Sequence, residues 1–281
     1  MNVRRTVIDL RRIVAPTTAY VALTILGLFW LIPFAWPVLA SLNPTASYAV
    51  EWPHRVTLAN FGAIIGGGLV VRPFINSAIL AVSTMVGCIV LSGLAAYPLS
   101  RYQFRFKQAL MYFILFISAL PILALVTPLY ALYVTLNLQN TLQGCILFFI
   151  ASALPNTIGI RKNFLDSVSV ELEEAAWVDG ASTLEAFFRI LLPLSAPGIA
   201  VVGLLSFIGA WANFFVPLIL LQNQDLFPAS IHIYTFFGAY GQVNYGQLAA
   251  YAMLYALPIA ALYIFFSRYL VKGVNLGGVK G

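Results

Sequence analysis

Residues with acid, base or metal-ligand chemistry are few in this sequence, and most of them lie in one stretch. Six of the nine acidic residues fall in or just before the segment 169–193, whereas His54 and His232 are far apart along the chain. The apolar segments contain no carboxylate pair, metal-ligand cluster or nucleophile–base set, and the sequence has no phosphate-binding loop. The sequence therefore predicts that the chain is not an enzyme and that it holds no metal ion, nucleotide or other cofactor of its own.

Four polar or aromatic side chains inside apolar segments could contact a ligand: Asn76, Asn156, Trp211 and Asn213. Amide groups exchange hydrogen bonds with hydroxyls, and aromatic rings pack on C–H groups, so these types suit a neutral, hydroxyl-rich ligand. The same side chains also join helices to one another within membranes. Both roles stay open, and the four residues are candidates for a substrate pathway.

Composition places the chain in a membrane. Of its 281 residues 61% are hydrophobic and 9% are charged, and the mean hydropathy is +0.92. Soluble domains have about 25% charged residues, so we expect an all-α integral membrane protein with a single domain over residues 1–281. Six apolar runs reach the roughly 20 residues that cross a bilayer. They predict spans at about 14–39, 73–99, 109–136, 142–160, 197–221 and 247–270.

The basic residues indicate the orientation of these spans. With six spans, thirteen of the fifteen Lys and Arg residues fall on one side of the membrane, and only Arg55 and Arg72 fall on the other. Basic residues concentrate in cytoplasmic loops, which predicts that both termini and the segment 161–196 are cytoplasmic. The net charge of +6 is accounted for in this way, and we expect lipid rather than nucleic acid around the protein.

The polar segment 169–193 is predicted to form two short amphipathic helices joined at Gly180. Ser169 can cap the first helix, and Gly180 suits the left-handed backbone that commonly ends a helix. Pro193 is expected to stop the second. Each helix has about ten residues, half of what a bilayer requires, so the pair should lie against a surface.

The second of these helices carries a start signal and an apolar face. Ser182 and Glu185, three residues apart, form a capping-box sequence. The residues after them follow the i, i+3, i+4, i+7 spacing of one helix face: Leu184, Phe187, Phe188 and Leu191.

The same segment carries a long family motif. Its fixed positions are filled at the correct spacing by Glu174, Ala175, Ala176, Gly180, Ile190, Leu192 and Pro193, and they resemble the EAA motif of ABC-importer membrane subunits. Further likeness covers about residues 73–281 and resembles the carbohydrate-uptake branch, in particular the smaller permease of maltose-type transporters. It lies in Asn76-Ser77, AAYPLSRYQF with Lys107, TPLYALYVTLNLQNT, AAWVDGAST, LPLSAPG and the closing GGVKG.

The resemblance implies a set of partners. A second permease subunit would form a heterodimer with this chain in the bacterial cytoplasmic membrane. A dimer of ATP-binding subunits, which holds ATP and Mg, would receive the coupling segment (residues 169–193), and an extracytoplasmic solute-binding protein would deliver the ligand. The residues implied in coupling are Glu174, Ala175, Ala176, Asp179, Gly180, Ile190, Leu192 and Pro193.

Two other regions receive roles from the resemblance. The loop 222–246 is expected to contact the binding protein, and the tail around Lys280 is expected to contact the ATPases. The chain departs from the family where Trp211 is followed by Ala212 and then Asn213, since the family often has Asn directly after Trp. This departure leaves open whether this subunit contacts the substrate.

Three functions are compatible with these features. The favoured one is an import permease for a carbohydrate, meaning an oligosaccharide, sugar or polyol. The same architecture could import solutes of the glycerol-phosphate type, although no predicted span contains Lys or Arg well inside it to match an anionic ligand. A membrane-embedded enzyme is the third, and its acid–base residues would have to come from the scattered Glu51, His54, Asp225 and His232.

Overall fold

The computed structural model describes the backbone of residues 2–237 and 243–277, and the side chains of residues 18–121, 128–234, 236–237 and 243–269. This part of the chain is helical, apart from loops and an isolated β-bridge between Phe237 and Val243. The α-helices are α1 Asn2–Ser41, α2 Ala59–Gly66, α3 Val71–Arg101, α4 Lys107–Ser118, α5 Ile122–Thr135, α6 Leu142–Asp166, α7 Glu171–Val178, α8 Thr183–Ala186, α9 Leu192–Leu194, α10 Ala196–Trp211, α11 Phe215–Leu220, α12 Ala229–His232 and α13 Tyr245–Gly277. A π-helical turn, Phe187–Leu191, joins α8 to α9, and short 3-10 turns occupy Gln224–Leu226 and Ile233–Phe236.

The chain divides into two compact units, and the first consists of residues 1–67 and 235–254. Its loop after α1 is held by a buried amide: Asn60 Nδ2 donates to the carbonyl oxygens of Ser41 and Asn43 at 3.0 and 2.9 Å. A Cβ at Gly246 would lie 2.6 Å from that same nitrogen, so α13 comes this close to Asn60 because residue 246 is glycine.

The second unit consists of residues 68–234 and 255–281, and its centre is α3, α6 and α10 packed together. Trp211 lies in the main apolar cluster and stacks on Phe207 and Tyr255, with both ring-centroid distances at 5.6 Å. Glycine allows close helix contact here, since a Cβ at Gly198 would lie 2.7 Å from Phe164. Small residues at helix contacts are typical of membrane proteins, where packing rather than water exclusion drives association.

The start of α6 shows how the sequence sets a helix boundary in this unit. Thr141 precedes it in extended conformation, and its Oγ1 accepts a hydrogen bond from the Gly144 backbone N–H at 3.1 Å. This cap satisfies one of the N–H groups that the first turn leaves without an intrahelical partner.

Four described helices are long and apolar enough to cross a membrane: Thr18–Ser41 within α1, Val71–Arg101, Leu142–Asp166, and Tyr245–Tyr269 within α13. A bent pair, Thr183–Leu194 and Ala196–Trp211, gives a fifth if it counts as one span. The structure therefore supports an all-helical membrane protein with four or five apolar spans in its described part, and the count of six stays a prediction.

Two predicted spans are interrupted in the structure. The span predicted at 109–136 is divided into α4 and α5, because α4 ends at Ser118 and Pro121 stands in extended conformation before α5. The span predicted at 197–221 is divided at residues 212–214 into α10 and α11. Conversely, α6 runs to Asp166, six residues beyond its predicted end.

Candidate functional site

The coupling segment begins with α7, whose C-terminal end was predicted correctly and whose N-terminal end was not. Gly180 has φ +90°, in the left-handed region as predicted. Its N–H donates to Trp177 O at 3.0 Å, and the Ala181 N–H donates to Ala176 O at 2.9 Å, which is the Schellman pattern of a helix C-terminus. The predicted cap at Ser169 is wrong, because the helix starts at Glu171 and its N-cap is Val170, whose side chain makes no capping bond.

The second helix of the segment starts with the predicted capping box. The Glu185 N–H donates to Ser182 Oγ at 3.2 Å, and the Ser182 N–H donates to Glu185 Oε2 at 3.0 Å. The Ser182 hydroxyl also donates to Glu185 Oε2, at 3.1 Å. The bond from the Ser182 backbone N–H, then the bond from its hydroxyl, and then the charge of Arg189 hold the pKa of Glu185 below its ordinary value.

The predicted apolar face of this helix is split by the π-helical turn. Hydrogen bonds in a π-turn reach five residues back instead of four, so the i, i+3, i+4, i+7 alignment is lost after Ala186. Phe187 and Leu191 turn inward and pack with a small buried cluster of Ala96, Leu165 and Val168. Leu184 and Phe188 stay 70% and 60% exposed.

The predicted stop at Pro193 is also wrong by a short distance. The helix continues through Pro193 to Leu194, and the chain then bends by 72° at Ser195 before α10 begins. Proline is tolerated in the first turn of a helix, because the N–H that it lacks would have no intrahelical partner there. Pro193 lies at such a position, near the start of α9.

Large apolar side chains remain exposed on the coupling segment. They are Val170, Leu172, Trp177, Val178, Leu184 and Phe188, and Val178 reaches 87% exposure. Among the motif residues, Glu174, Ala175, Asp179, Gly180 and Pro193 are exposed, Ile190 and Leu192 are half-buried, and Ala176 is buried. Exposed apolar groups in this density mark an interaction surface or a membrane contact.

Beneath this exposed surface, the coupling segment is attached to α3 by a buried ion pair. Glu173 is 1% exposed, and its Oε1 accepts a hydrogen bond from Arg101 Nε at 2.5 Å. Arg101 also donates to Val168 O at 3.1 Å, and the Tyr97 hydroxyl donates to Glu173 Oε2 at 3.4 Å. The end of α3 that the charge distribution predicts to be cytoplasmic is therefore joined directly to α7.

A second polar link joins the same end of α3 to α6. The Ser100 hydroxyl donates to Asp166 Oδ1 at 2.6 Å, and Lys162 Nζ contacts Asp166 Oδ2 at 2.5 Å. Sequence reasoning missed both links. The sequence does contain their signals, since acidic residues suit the first turn of α7 and a basic residue ends α3, but nothing in it pairs one with the other.

Arg161 is a further residue that sequence reasoning assigned to a loop. The structure buries it inside α6 at 2% exposure, and its guanidinium donates to Ser195 O, at the 72° bend, at 3.1 Å. Its Nε lacks a hydrogen-bond partner among the described residues, and it faces Gly93 of α3. Arg161 thus bridges α6 to the junction of the coupling segment with α10.

Three of the four predicted pathway residues are engaged in contacts within the protein. Asn76 donates to the carbonyl oxygens of Asp225 and Phe227 at 2.9 and 3.2 Å. Trp211 is buried, and its Nε1 donates to Tyr255 O at 3.2 Å. Asn213 Oδ1 accepts from the Val216 N–H at 3.0 Å. Any contact of these three with a substrate stays a prediction.

Asn156, the fourth, lies on a polar cavity of about 440 Å³. The other residues around this cavity are Ser118, Ser152, Ala153, Thr157, Leu205 and Ser206. A larger cavity of about 620 Å³ adjoins it through Ser118 and Ser152 and is lined mainly by apolar residues of α5 and α6 with the end of α4. Asn76, Trp211 and Asn213 line neither. Among the described residues, no three His, Cys, Asp or Glu side chains are grouped to hold a metal ion.

These features match one family of membrane proteins. Residues 88–275 match the model of the binding-protein-dependent transport system inner membrane component, so the chain belongs to that family. Its members are the membrane permeases of ABC importers, which are transport subunits rather than enzymes and whose ATPase is a separate partner.

Individual relatives agree with this assignment. The chain is 33% identical over 260 residues to a probable ABC transporter permease protein of Pyrococcus horikoshii, covering 89% of this chain and 92% of the relative. It is 34% identical over 254 residues to the trehalose transport system permease protein SugB of Mycobacterium tuberculosis, covering 89% and 93%. The fold resembles that in the crystal structure of a bacterial ABC transporter involved in the import of the acidic polysaccharide alginate, with a TM-score of 0.76 at 21% identity over 92% and 97% of the two chains.

Proposed function

We propose that this protein is the permease subunit of an ATP-driven importer that moves a neutral carbohydrate across the bacterial cytoplasmic membrane. The observation that carries the proposal is the coupling segment, in which apolar side chains are exposed above a buried, ion-paired attachment to α3. Such a segment is suited to receive force from a partner and to pass it to the spans. A carbohydrate cargo is supported by the trehalose permease among the relatives and by the motif resemblance.

The partners follow from the same proposal. A second permease completes the translocation path, and a dimer of ATPase subunits binds ATP and Mg below the coupling segment. Glu174, Ala175, Asp179 and Gly180 are exposed where the ATPase would contact α7 and its C-terminus. Pro193 is exposed as well, whereas Ala176 is buried and Ile190 and Leu192 are half-buried, so these three contribute mainly to the shape of the segment.

The proposed orientation places both termini and the coupling segment in the cytoplasm, with six spans in total. An extracytoplasmic binding protein would then approach the opposite side, where the loop 222–246 is proposed to meet it. Residues 238–242 of that loop and the tail around Lys280 lie outside the described residues.

The test is uptake by the reconstituted complex. The chain is co-expressed with its partner permease, ATPase and binding protein, and the complex is placed in proteoliposomes loaded with ATP and Mg. We expect ATP-dependent uptake of at least one radiolabelled saccharide among trehalose, maltose, maltotriose and arabinotriose. Uptake of glycerol 3-phosphate with none of these saccharides would overturn the carbohydrate assignment while keeping the importer, and ATP-independent chemistry on a lipid or glycan would overturn both.

A further inference from the structure

The polar cavity at Asn156 is unusual for its place in the chain. It lies among α4, α6 and α10 in a unit whose core is apolar, yet five of its seven lining residues carry a hydroxyl or an amide. None of the residues around it is charged. Asn156 itself is exposed to the cavity, and its amide has no hydrogen-bond partner among the residues that the structure describes.

The hydroxyl groups around the cavity are oriented by their own helices. Ser118, Ser152 and Thr157 each donate to a backbone carbonyl three or four residues back, at 2.7, 3.1 and 3.0 Å. A hydroxyl oxygen that has donated its proton keeps lone pairs that accept. The wall therefore offers acceptors to a hydroxyl-bearing ligand, and the Asn156 amide offers both a donor and an acceptor.

This polarity is not accounted for by contact with lipid. Asn156 lies well inside a helix that is long and apolar enough to span a membrane, ten residues before its end at Asp166. Unsatisfied polar groups are costly in hydrocarbon, so at membrane depth they face protein or a water-filled space. A concave surface of hydroxyls and an amide at this position is suited to a polar solute.

The adjoining cavity places an apolar wall beside the polar one. It meets the polar cavity at Ser118 and Ser152, and Leu129, Leu132 and Phe148 are among its lining residues. A saccharide ring has hydroxyls at its edge and C–H groups on its faces, so it pairs with a polar wall beside an apolar one. Both volumes fall within the roughly 300–1,000 Å³ of small-molecule sites.

We propose that this subunit itself binds the transported molecule at this cavity, through Asn156, Ser152 and Ser118, and that the ligand is a neutral saccharide. This inference rests on the proposed function and adds to it, because it assigns a ligand site to this chain rather than to its partner permease. The uncharged wall disfavours phosphorylated and carboxylated solutes, since no cation lies there to match them.

Cysteine labelling of the whole complex tests the site. The native Cys88 and Cys145 are fully buried, so N156C and S152C each introduce one accessible thiol. Both variants are treated with the hydrophilic reagent 2-sulfonatoethyl methanethiosulfonate, with and without the saccharide that the wild-type complex imports. We expect labelling of each, slowed about tenfold when the saccharide is at about ten times its dissociation constant, because about a tenth of the sites then stay free.

L147C is the matched control. Leu147 is half exposed and lies nine residues before Asn156 on α6, which places it on the opposite helix face at roughly 100° per residue. Its labelling should not respond to the saccharide. Equal protection of L147C and N156C, or no protection of N156C and S152C in a complex that imports the saccharide, would overturn the ligand site and leave the importer standing. A wild-type complex that imports none of the saccharides would remove both proposals together.

An independent measurement uses N156A. Loss of one or two ligand hydrogen bonds should raise the KM for saccharide uptake by about 3- to 10-fold. An unchanged KM for every imported saccharide would count against the site, whatever the labelling shows.

Discussion

Arg101, the last residue of α3, forms a buried ion pair with Glu173 in the first turn of α7, at 2.5 Å between Nε and Oε1. Glu173 lies directly before Glu174, the first residue of the family motif, which is exposed. One carboxylate thus faces the spans and its neighbour faces outward. A buried pair of this kind fixes geometry more than it adds stability, because desolvation offsets much of the attraction.

Breaking the pair on one side should therefore be costly. R101Q leaves Glu173 as an uncompensated buried carboxylate, and about 3–5 kcal/mol of stability should be lost. E173Q should cost less, since a neutral amide still accepts the Arg101 hydrogen bond. The measurement is the thermal midpoint of the purified complex together with the number of saccharide molecules imported per ATP hydrolysed, which should fall in both variants.

Arg72 provides the control for this prediction. It pairs with Asp225 at 2.8 Å, but both side chains are mostly exposed. Exposed pairs contribute about 0–1 kcal/mol, so R72Q should change neither the midpoint nor the coupling ratio. A midpoint and a coupling ratio for R101Q that both match those of R72Q would contradict the role given to the buried pair.

Local signals in the sequence predicted local geometry well. The left-handed Gly180 and the Ser182–Glu185 capping box depend on residues within a few positions of one another, so their geometry follows from residue type and spacing. The apolar composition of the spans likewise requires no knowledge of neighbours.

Features that depend on distant residues were not predictable in this way. The face formed by Leu184, Phe187, Phe188 and Leu191 assumed α-helical spacing, and the π-turn that changes it coincides with packing of Phe187 and Leu191 beside α3 and α6. Likewise, Arg161 was assigned to a loop, because the carbonyl that binds it in the structure, Ser195 O, is thirty-four residues away along the chain. Of the four pathway candidates, only tertiary contacts separated Asn156 from the other three.

Gly180 should tolerate only residues that accept a positive φ. A Cβ there would meet nothing within 4 Å, so any penalty comes from the backbone at φ +90° rather than from contacts. G180V should cost about 1–3 kcal/mol of local strain and lower ATP-dependent uptake, whereas G180N should keep more activity because Asn enters this region more readily.

Gly159 offers the comparison for Gly180. It also has open space around its Cβ position, but it lies inside α6 without a positive φ. G159V should retain uptake, as measured in the same proteoliposomes. Equal activity of G180V and G159V would mean that the turn geometry at Gly180 is not needed for coupling.

The capping box should make the second helix of the coupling segment sensitive to acid. The pKa of Glu185 is lowered in the folded protein, first by the Ser182 N–H and then by its hydroxyl. The ionised carboxylate therefore stabilises the helix fully at pH values above its unfolded pKa of about 4.3. This stabilisation is lost as the pH falls through the lower pKa of the folded protein. Hydrogen-exchange protection of residues 183–191, corrected for intrinsic rates, should stay constant from about pH 7 to pH 5 and fall at lower pH.

Substitutions at Ser182 and Thr183 distinguish the contribution of the cap from general acid unfolding. S182A should lower the same protection already at neutral pH, by about 1 kcal/mol for a lost N-cap, and T183A should leave it unchanged because Thr183 is not the capping residue. Protection that is identical in S182A and T183A would contradict the role given to the cap.

Phe187 and Phe188 allow docking to be distinguished from packing, because they are adjacent and their environments differ. Phe187 packs edge-on against Tyr97 at 5.5 Å and contacts the buried cluster, whereas Phe188 is 60% exposed. F187A should lower the thermal midpoint, at less than the about 3–5 kcal/mol of a fully buried phenylalanine. F188A should leave the midpoint unchanged and weaken binding of the ATPase subunits about tenfold, which corresponds to about 1.4 kcal/mol. Binding is measured by titrating purified ATPase onto the permease pair in nanodiscs. If F188A binds the ATPase as tightly as the unmodified protein, the exposed side of the coupling segment contacts something else, and the membrane surface is then its best remaining partner.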